Sequence, residues 1–260
     1  MRIVVLIVAL LMGCDAMADE WRRLAALPDP EGFAGPYAGI SHGALLVAGG
    51  GNFPGKKPWE GGQKVWYDSV FVLEHPGGEW KQAGKLPRPL GYGVCVTFGE
   101  SVVCVGGSDA ERHYADAFRL EWKQGELLTT KLPSLPTPLA NASGALVGET
   151  LYVAGGLLKP DAASALKTGW KIDLSAAEPK WERIDDCPGS GRMLAVAASC
   201  DGAFWLLGGV ELVVGTERAK AGQVERRYLN DAYRYDPSQD WQQIADLPHA
   251  SVAAPSPAPV

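Results

Sequence analysis

Tyr92-Gly93-Val94-Cys95-Val96-Thr97-Phe98-Gly99-Glu100-Ser101-Val102-Val103-Cys104-Val105-Gly106-Gly107 is the stretch that decides the fold. Apolar residues run on both sides of Gly99-Glu100, a pair suited to a two-residue turn, and end at a glycine doublet. Two strands folded back to back are the direct reading. Counting outward from the turn, Phe98 faces Ser101, Thr97 faces Val102, Val96 faces Val103 and Cys95 faces Cys104. Alternation makes the cysteine pair a non-hydrogen-bonded one, where side chains lie closest. A cross-strand disulfide and two small apolar side chains packed in a core are both open there.

The same unit recurs. A turn pair is followed seven residues later by a Gly-Gly doublet at His42 to Gly49, Gly99 to Gly106, Gly148 to Gly155 and Asp201 to Gly208. A Trp precedes a Pro by seven residues at Trp21 and Pro28, Trp80 and Pro87, Trp181 and Pro188, Trp241 and Pro248. Between doublet and Trp, a third strand carries an aromatic and then an apolar or aromatic residue two on: Phe71 and Leu73, Trp170 and Ile172, Tyr233 and Tyr235. In the second unit Glu126 holds the Trp position, so Trp122 is expected to fill that space from elsewhere.

Four strands per period of about 50 residues describe a propeller blade. The run Asn230-Asp231-Ala232-Tyr233-Arg234-Tyr235-Asp236-Pro237 resembles the kelch consensus. The expectation is an all-β, kelch-type β-propeller with four complete four-stranded blades at about 29–87, 88–133, 134–188 and 189–248. Residues 21–28 read as an orphan N-terminal outer strand, and residues 249–260 as the start of a missing blade. That count fits an incomplete six-bladed ring, whose open blade edges would expose apolar surface for self-association. A four-bladed ring with an idle first strand is the alternative.

Composition narrows the function classes. With 47% hydrophobic residues, 32 Gly and 19 Pro, the chain suits many short strands and tight turns. A net charge of −6 with no Lys/Arg run gives little support to a nucleic-acid groove or an anionic membrane patch. Arg2, an apolar run over residues 3–12 and then small residues read as a signal peptide, residues 1–18. Ala16-Met17-Ala18 offers a cleavage site that leaves a soluble protein starting at Asp19. Leu11-Met12-Gly13-Cys14 resembles a bacterial lipobox, which would place a lipid anchor at Cys14. Either reading, like an uncleaved N-terminal anchor, expects an extracytoplasmic protein of the periplasm or cell envelope.

Gly32-Phe33-Ala34-Gly35, Ala38-Gly39-Ile40-Ser41 and Val47-Ala48-Gly49-Gly50-Gly51-Asn52-Phe53 carry a closer resemblance. It continues through Trp66-Tyr67-Asp68-Ser69-Val70, Trp80 and Leu90-Gly91-Tyr92-Gly93-Val94 to the second doublet. These motifs resemble the cyclically permuted mutarotase family, similar to bacterial N-acetylneuraminate epimerases. The resemblance implies a six-bladed exported propeller that interconverts anomers of sialic acid; separately, no Cys/His cluster has metal-ligand spacing, and no cofactor or metal is expected. Its acidic proton acceptor has no matching position here, and Leu90 stands where an Arg-x-Tyr-Gly pattern would have its Arg.

Mutarotation of a 2-keto sugar needs an acid at the ring oxygen and a base at the anomeric hydroxyl. A sugar carboxylate further favours an Arg. Candidates belong in loops after the doublets or just before inner strands. Asn52 and Phe53 open a long loop over residues 54–65 that is expected to fold over the axis. Arg88 and Tyr92 border the second inner strand, and Arg192 holds the corresponding place in the fourth unit. Arg192 is the expected carboxylate ligand. Glu211 follows the fourth doublet and is the candidate base; it opens an insertion over residues 212–229 that clusters Glu217, Arg218, Glu225, Arg226 and Arg227. For each candidate the competing reading is a solvated loop charge or a hydrogen bond between blades. The four histidines, His42, His75, His113 and His249, are too scattered for a copper centre. A non-catalytic glycan- or protein-binding module and an inactive truncated fragment complete the alternatives.

Overall fold

A computed structural model describes residues 22–215, 224–253 and 257–258. The signal segment, Cys14, Trp21, Glu217 and Arg218 fall outside the described residues. The first sheet begins with β1 (Tyr37–Ser41) and β2 (Ala44–Ala48). The chain then makes a two-stranded ribbon, β3 (Gly51–Asn52) with β4 (Val65–Trp66), and returns as β5 (Ser69–Leu73) and β6 (Lys81–Lys85). The second sheet runs through β7 (Val94–Phe98), β8 (Ser101–Val105), β9 (Ala117–Lys123) and β10 (Glu126–Leu132). The third holds β11 (Ser143–Val147), β12 (Thr150–Ala154), β13 (Gly169–Asp173) and β14 (Glu182–Ile184). The fourth holds β15 (Val196–Cys200), β16 (Ala203–Val214), β17 (Val224–Asp236) and β18 (Asp240–Ile244). In each sheet successive strands pair antiparallel.

Strand β8 shows why its sequence is apolar throughout. Val102 and Cys104 face the first sheet, packing with Leu46, Val70 and Val72. Val103 and Val105 face the third, packing with Leu151, Val153 and Ile172. A strand buried on both faces needs no polar alternation. A third core joins the third and fourth sheets through Tyr152, Phe204, Tyr233 and Tyr235. The ring pairs Tyr152–Phe204 at 5.7 Å and Tyr235–Trp241 at 5.2 Å fill its wedge. Stacking sheets face to face about an axis in this way is the propeller architecture, and burying each Val or Leu contributes about 1.5–3 kcal/mol.

The turn register is as counted, with Cys95 opposite Cys104. Both thiols are free, and the Cys95 Sγ accepts the Ala38 N–H at 3.2 Å. The doublets sit at tight crossings between blades. Gly106 and Gly107 have φ of 67° and 108°. A Cβ on Gly106 would lie 2.3 Å from the Leu139 carbonyl oxygen, and one on Gly107 2.2 Å from the Tyr37 hydroxyl. Only glycine fits both the dihedral and the approach.

Indole rings tie each blade to the one before. Trp181 Nε1 donates to the Pro133 carbonyl and Trp241 Nε1 to the Asp185 carbonyl, each at 2.8 Å. Trp122 takes the missing Trp's part by donating to Glu74 Oε1 at 3.2 Å. Trp80 Nε1 donates to the Ala25 carbonyl at 2.8 Å. Ala25 stands four residues after Trp21, as Asp185 stands four after Trp181. Residues 22–27 therefore lie where an outer strand would, and they join no ladder among the described residues.

In the insertion over residues 212–229, residues 212–214 and 224–229 are strand rather than loop and form the distal part of a long hairpin. β16 and β17 stay paired from Gly209↔Leu229 to Val214↔Val224, past a bulge between Leu207 and Gly209. The bulge at the doublet lets the ladder bend out of the blade and continue above it.

Candidate functional site

Where the inner strands begin, one backbone motif repeats around the axis. Gly35, Tyr92, Asn141, Leu194 and Ala253 all have φ between 54° and 62°. The N–H of Tyr92 donates to Gly35 O at 2.7 Å, Asn141 to Tyr92 O and Leu194 to Asn141 O at 2.8 Å, and Ala253 to Leu194 O at 2.9 Å. The first four stand fifteen residues ahead of Gly50, Gly107, Gly156 and Gly209. Ser251 extends the pattern by accepting the Gly209 N–H at 2.8 Å. A left-handed conformation at Tyr92, Asn141 or Leu194 costs about 1–3 kcal/mol, and such residues gather at functional sites.

These residues separate two connected spaces. Along the axis runs a channel of about 730 Å³ lined by β1, β7, β11 and the residues that lead into β15. Its walls are mainly small or apolar side chains such as Ala38, Val96 and Ala195, with little chemistry to offer. Above it, sharing Tyr92, Asn141 and Leu194, opens a mouth of about 500 Å³ that also holds Lys64, Asp109, His113, Asp161 and Arg226. A concave space with a few convergent polar groups is the default ligand site.

The loop between β3 and β4 delivers Lys64. Its Nζ lies 3.9 Å from the Tyr92 ring centroid and 4.9 Å from that of Trp66, and it contacts the Tyr92 hydroxyl. Arg226 comes from β17 and has no ion-pair partner among the described residues. Both acidic groups are engaged. Asp109 accepts from Tyr114 Oη and, through Oδ1, from the N–H of Glu111 at 2.8 Å and Arg112 at 2.9 Å. Burial pushes the Asp109 carboxyl up, but these bonds outweigh it and hold the group below its usual range. Asp161 pairs with Lys159. The local balance thus leaves two cations to meet an anion.

The residues singled out from sequence divide sharply. Tyr92 reaches the mouth, and Phe53 lines a side pocket of about 230 Å³ that shares Lys64 and Tyr92 with it. Asn52 is spent on scaffolding: its Nδ2 donates to Asp29 Oδ1 at 3.0 Å and Gly32 O at 2.8 Å, and its Oδ1 accepts from Tyr67 Oη at 2.8 Å. Arg88 pairs with Asp116 and lies 4.5 Å from the Tyr114 ring centroid. Glu211 faces Arg227 across the hairpin and pairs with it.

Arg192, the expected carboxylate ligand, is instead 1% exposed. Its Nη1 donates to Asp231 Oδ1 and Gly208 O at 2.9 Å, its Nη2 to Asp231 Oδ2 at 2.8 Å and its Nε to Ser190 O at 3.2 Å. Burial raises the Asp231 carboxyl, but the Arg192 bonds prevail and hold it low. Tyr233, which donates to Asp231 Oδ2 at 2.9 Å, is pushed up to about 12 by burial and by that carboxylate. Such a group is structural: no donor pair is left for a ligand.

Lys64, His113, Asn141 and Arg226 were not singled out for the mouth. Asn141 was legible in the fifteen-residue offset from the doublet, which it shares with Tyr92. The other three depend on loop and hairpin geometry.

The fold is a propeller whose axial mouth gathers charged groups, an arrangement able to hold a small anion. The model of the family described as N-acetylneuraminate epimerase matches residues 9–129 and 132–258, and the chain belongs to this family. Over 106 residues it is 42% identical to the N-acetylneuraminate epimerase of Salmonella enteritidis PT4 (strain P125109), which is 35% of this chain and 27% of that protein. Over 109 residues it is 39% identical to the N-acetylneuraminate epimerase of Yersinia pestis (strain Pestoides F), covering 37% of this chain and 27% of the relative. The matched stretch is thus about a quarter of each relative's length. The solved structure of YjhT superposes with a TM-score of 0.76 at 13% identity, over 92% of this chain and 78% of that one, which shows the shared propeller fold.

Proposed function

We propose that this protein is an isomerase of sugar acids, an exported mutarotase that interconverts the anomers of N-acetylneuraminate at the axial mouth. The observation that carries the reading is the pair of cations there, Lys64 and Arg226, in a chain of the N-acetylneuraminate epimerase family. Arg226 offers a planar fork for the sugar carboxylate. Lys64 supplies an ammonium held against Tyr92 that can donate to the ring oxygen as it opens. The apolar run over residues 3–12 with its small-residue exits supports work outside the cytoplasm. Proton NMR of freshly prepared α-N-acetylneuraminate tests the reaction: the protein should speed equilibration with the β-anomer well beyond buffer.

A second reading is a non-catalytic binder of acidic glycans. The pairing of Asp109 and Asp161 favours it, since neither carboxylate at the mouth stands ready to take a proton. Saturable binding without faster anomer exchange would select this reading.

A further inference from the structure

His113 is the group in the mouth that neither the sequence nor the charge balance brought forward. It is 7% exposed, at the end of a short loop after the second doublet. The loop braces itself: Ser108 bridges His113, Asp109 N–H donates to Arg112 O at 3.1 Å and Tyr114 N–H to Gly107 O at 2.8 Å. From the third blade, the Leu157 carbonyl oxygen lies 2.9 Å from His113 Nδ1.

A carbonyl only accepts, so Nδ1 must carry the ring proton. In the neutral imidazole Nε2 is then a bare lone pair. It makes no hydrogen bond with the described residues, although the side chain is more than nine-tenths buried and lines the mouth. Nε2 is not among the buried polar atoms left without a partner, so it opens to the mouth and is free to accept from a hydroxyl there. The titratable and charged groups that line the same mouth are Asp109 on its own loop and, from the other elements, Lys64, Tyr92, Asp161 and Arg226. Burial disfavours the imidazolium and outweighs the Leu157 carbonyl and Asp109, so the ring titrates below its usual value and stays neutral near pH 7.

We infer that His113 Nε2 accepts the anomeric hydroxyl of a bound 2-keto sugar acid and serves as the base of ring opening. The inference rests on the mutarotase reading above. The hydroxyl proton passes to Nε2 as the C2=O bond forms. The bond from C2 to the ring oxygen breaks, its electron pair stays on that oxygen, and the Lys64 ammonium protonates it. After rotation about the bond to C2, attack on the other carbonyl face returns one proton to Lys64 and one from His113, so both end as they began.

The test uses the full chain labelled with ¹⁵N at its four histidines and long-range ¹H–¹⁵N NMR of the rings, with rates read by proton NMR. His113→Asn keeps a donor where Nδ1 reaches Leu157 and removes the Nε2 acceptor. His113→Gln assigns the resonance. The expected result is a single Nδ1–H tautomer whose Nε2 shift moves on adding N-acetylneuraminate while Nδ1 stays in place. Anomer exchange by His113→Asn should fall at least about 100-fold with an unchanged melting temperature. An Nε2 that ignores saturating sugar overturns the inference, as does a folded His113→Asn at wild-type rate, while wild-type acceleration keeps the mutarotase reading intact. An Nε2 that responds in a protein that does not accelerate exchange supports sugar recognition by His113 and sinks the mutarotase reading.

Discussion

Arg192 and Asp231 form a two-point ion pair inside the fourth blade, with Nη1···Oδ1 at 2.9 Å and Nη2···Oδ2 at 2.8 Å. The pair fastens the segment before β15 to the middle of β17. Removing one partner of a buried pair strands the other's charge and costs about 3–5 kcal/mol. Asp231→Asn and Arg192→Met should each lower urea stability on that scale. The double variant should lose less than the sum, because the second change removes the orphaned charge. Wild-type stability across the pair should also depend on pH. The Asp231 carboxyl titrates lower folded than unfolded. Its contribution is therefore complete above the unfolded value of about 3.9 and lost as pH falls through the folded one. Urea midpoints from pH 7 to pH 2 should drop more in the wild type than in Asp231→Asn.

Gly107 should tolerate no side chain. Its φ is 108°, and a Cβ would stand 2.2 Å from the Tyr37 hydroxyl, which donates to the Gly106 carbonyl at 2.6 Å. Gly107→Ala combines backbone strain of about 1–3 kcal/mol with a broken contact between the first two blades. Chemical unfolding should show a loss of at least about 2 kcal/mol on this basis. The same change at Gly125, a hairpin position with open space around it, should cost less despite its φ of 81°.

Lys64 and Arg226 should separate charge recognition from fold. Neither is buried in a core, and Arg226 has no ion-pair partner among the described residues. A hydrogen bond to a charged group contributes about 1.5–3 kcal/mol, so Arg226→Met should weaken N-acetylneuraminate binding about 10- to 100-fold. Lys64→Met should weaken it as well. Calorimetry with the acid and with its methyl ester reads the difference: the ester should bind Arg226→Met and the wild type almost alike, while Lys64→Met should weaken both ligands.

The pH–rate profile follows from the neutral ring. Burial places the His113 titration below 6.5, and only the neutral ring accepts a proton. The rate of anomer exchange above buffer should be flat near pH 7 and fall as pH drops through a midpoint below 6.5. A midpoint above 6.5 would contradict the environment described for this histidine.

Most of the fold was legible because it rests on short-range patterns. Gly99-Glu100 fixed the pairing of Cys95 with Cys104, and the Trp-Pro spacing placed Trp181 and Trp241 where their indoles bridge blades. Trp122 could be inferred only from the gap that Glu126 left. The hairpin of β16 and β17 was missed because Glu225, Arg226 and Arg227 read as loop charges, although Val213, Val214 and Val224 favour strand. The site was legible only in part. Tyr92 follows from the repeat, but composition cannot tell a ligand Arg from one held by Asp231, since Arg192 and Asp231 are 39 residues apart. His113 looked isolated for the same reason: its partner, Leu157, is 44 residues away on the next blade.

The most direct measurement is proton NMR of α-N-acetylneuraminate with the purified protein and with buffer alone. The account predicts that micromolar protein brings the α- and β-anomers to equilibrium many times faster than buffer at pH 7. Equilibration at the buffer rate, with the protein folded and saturated with sugar, would contradict it.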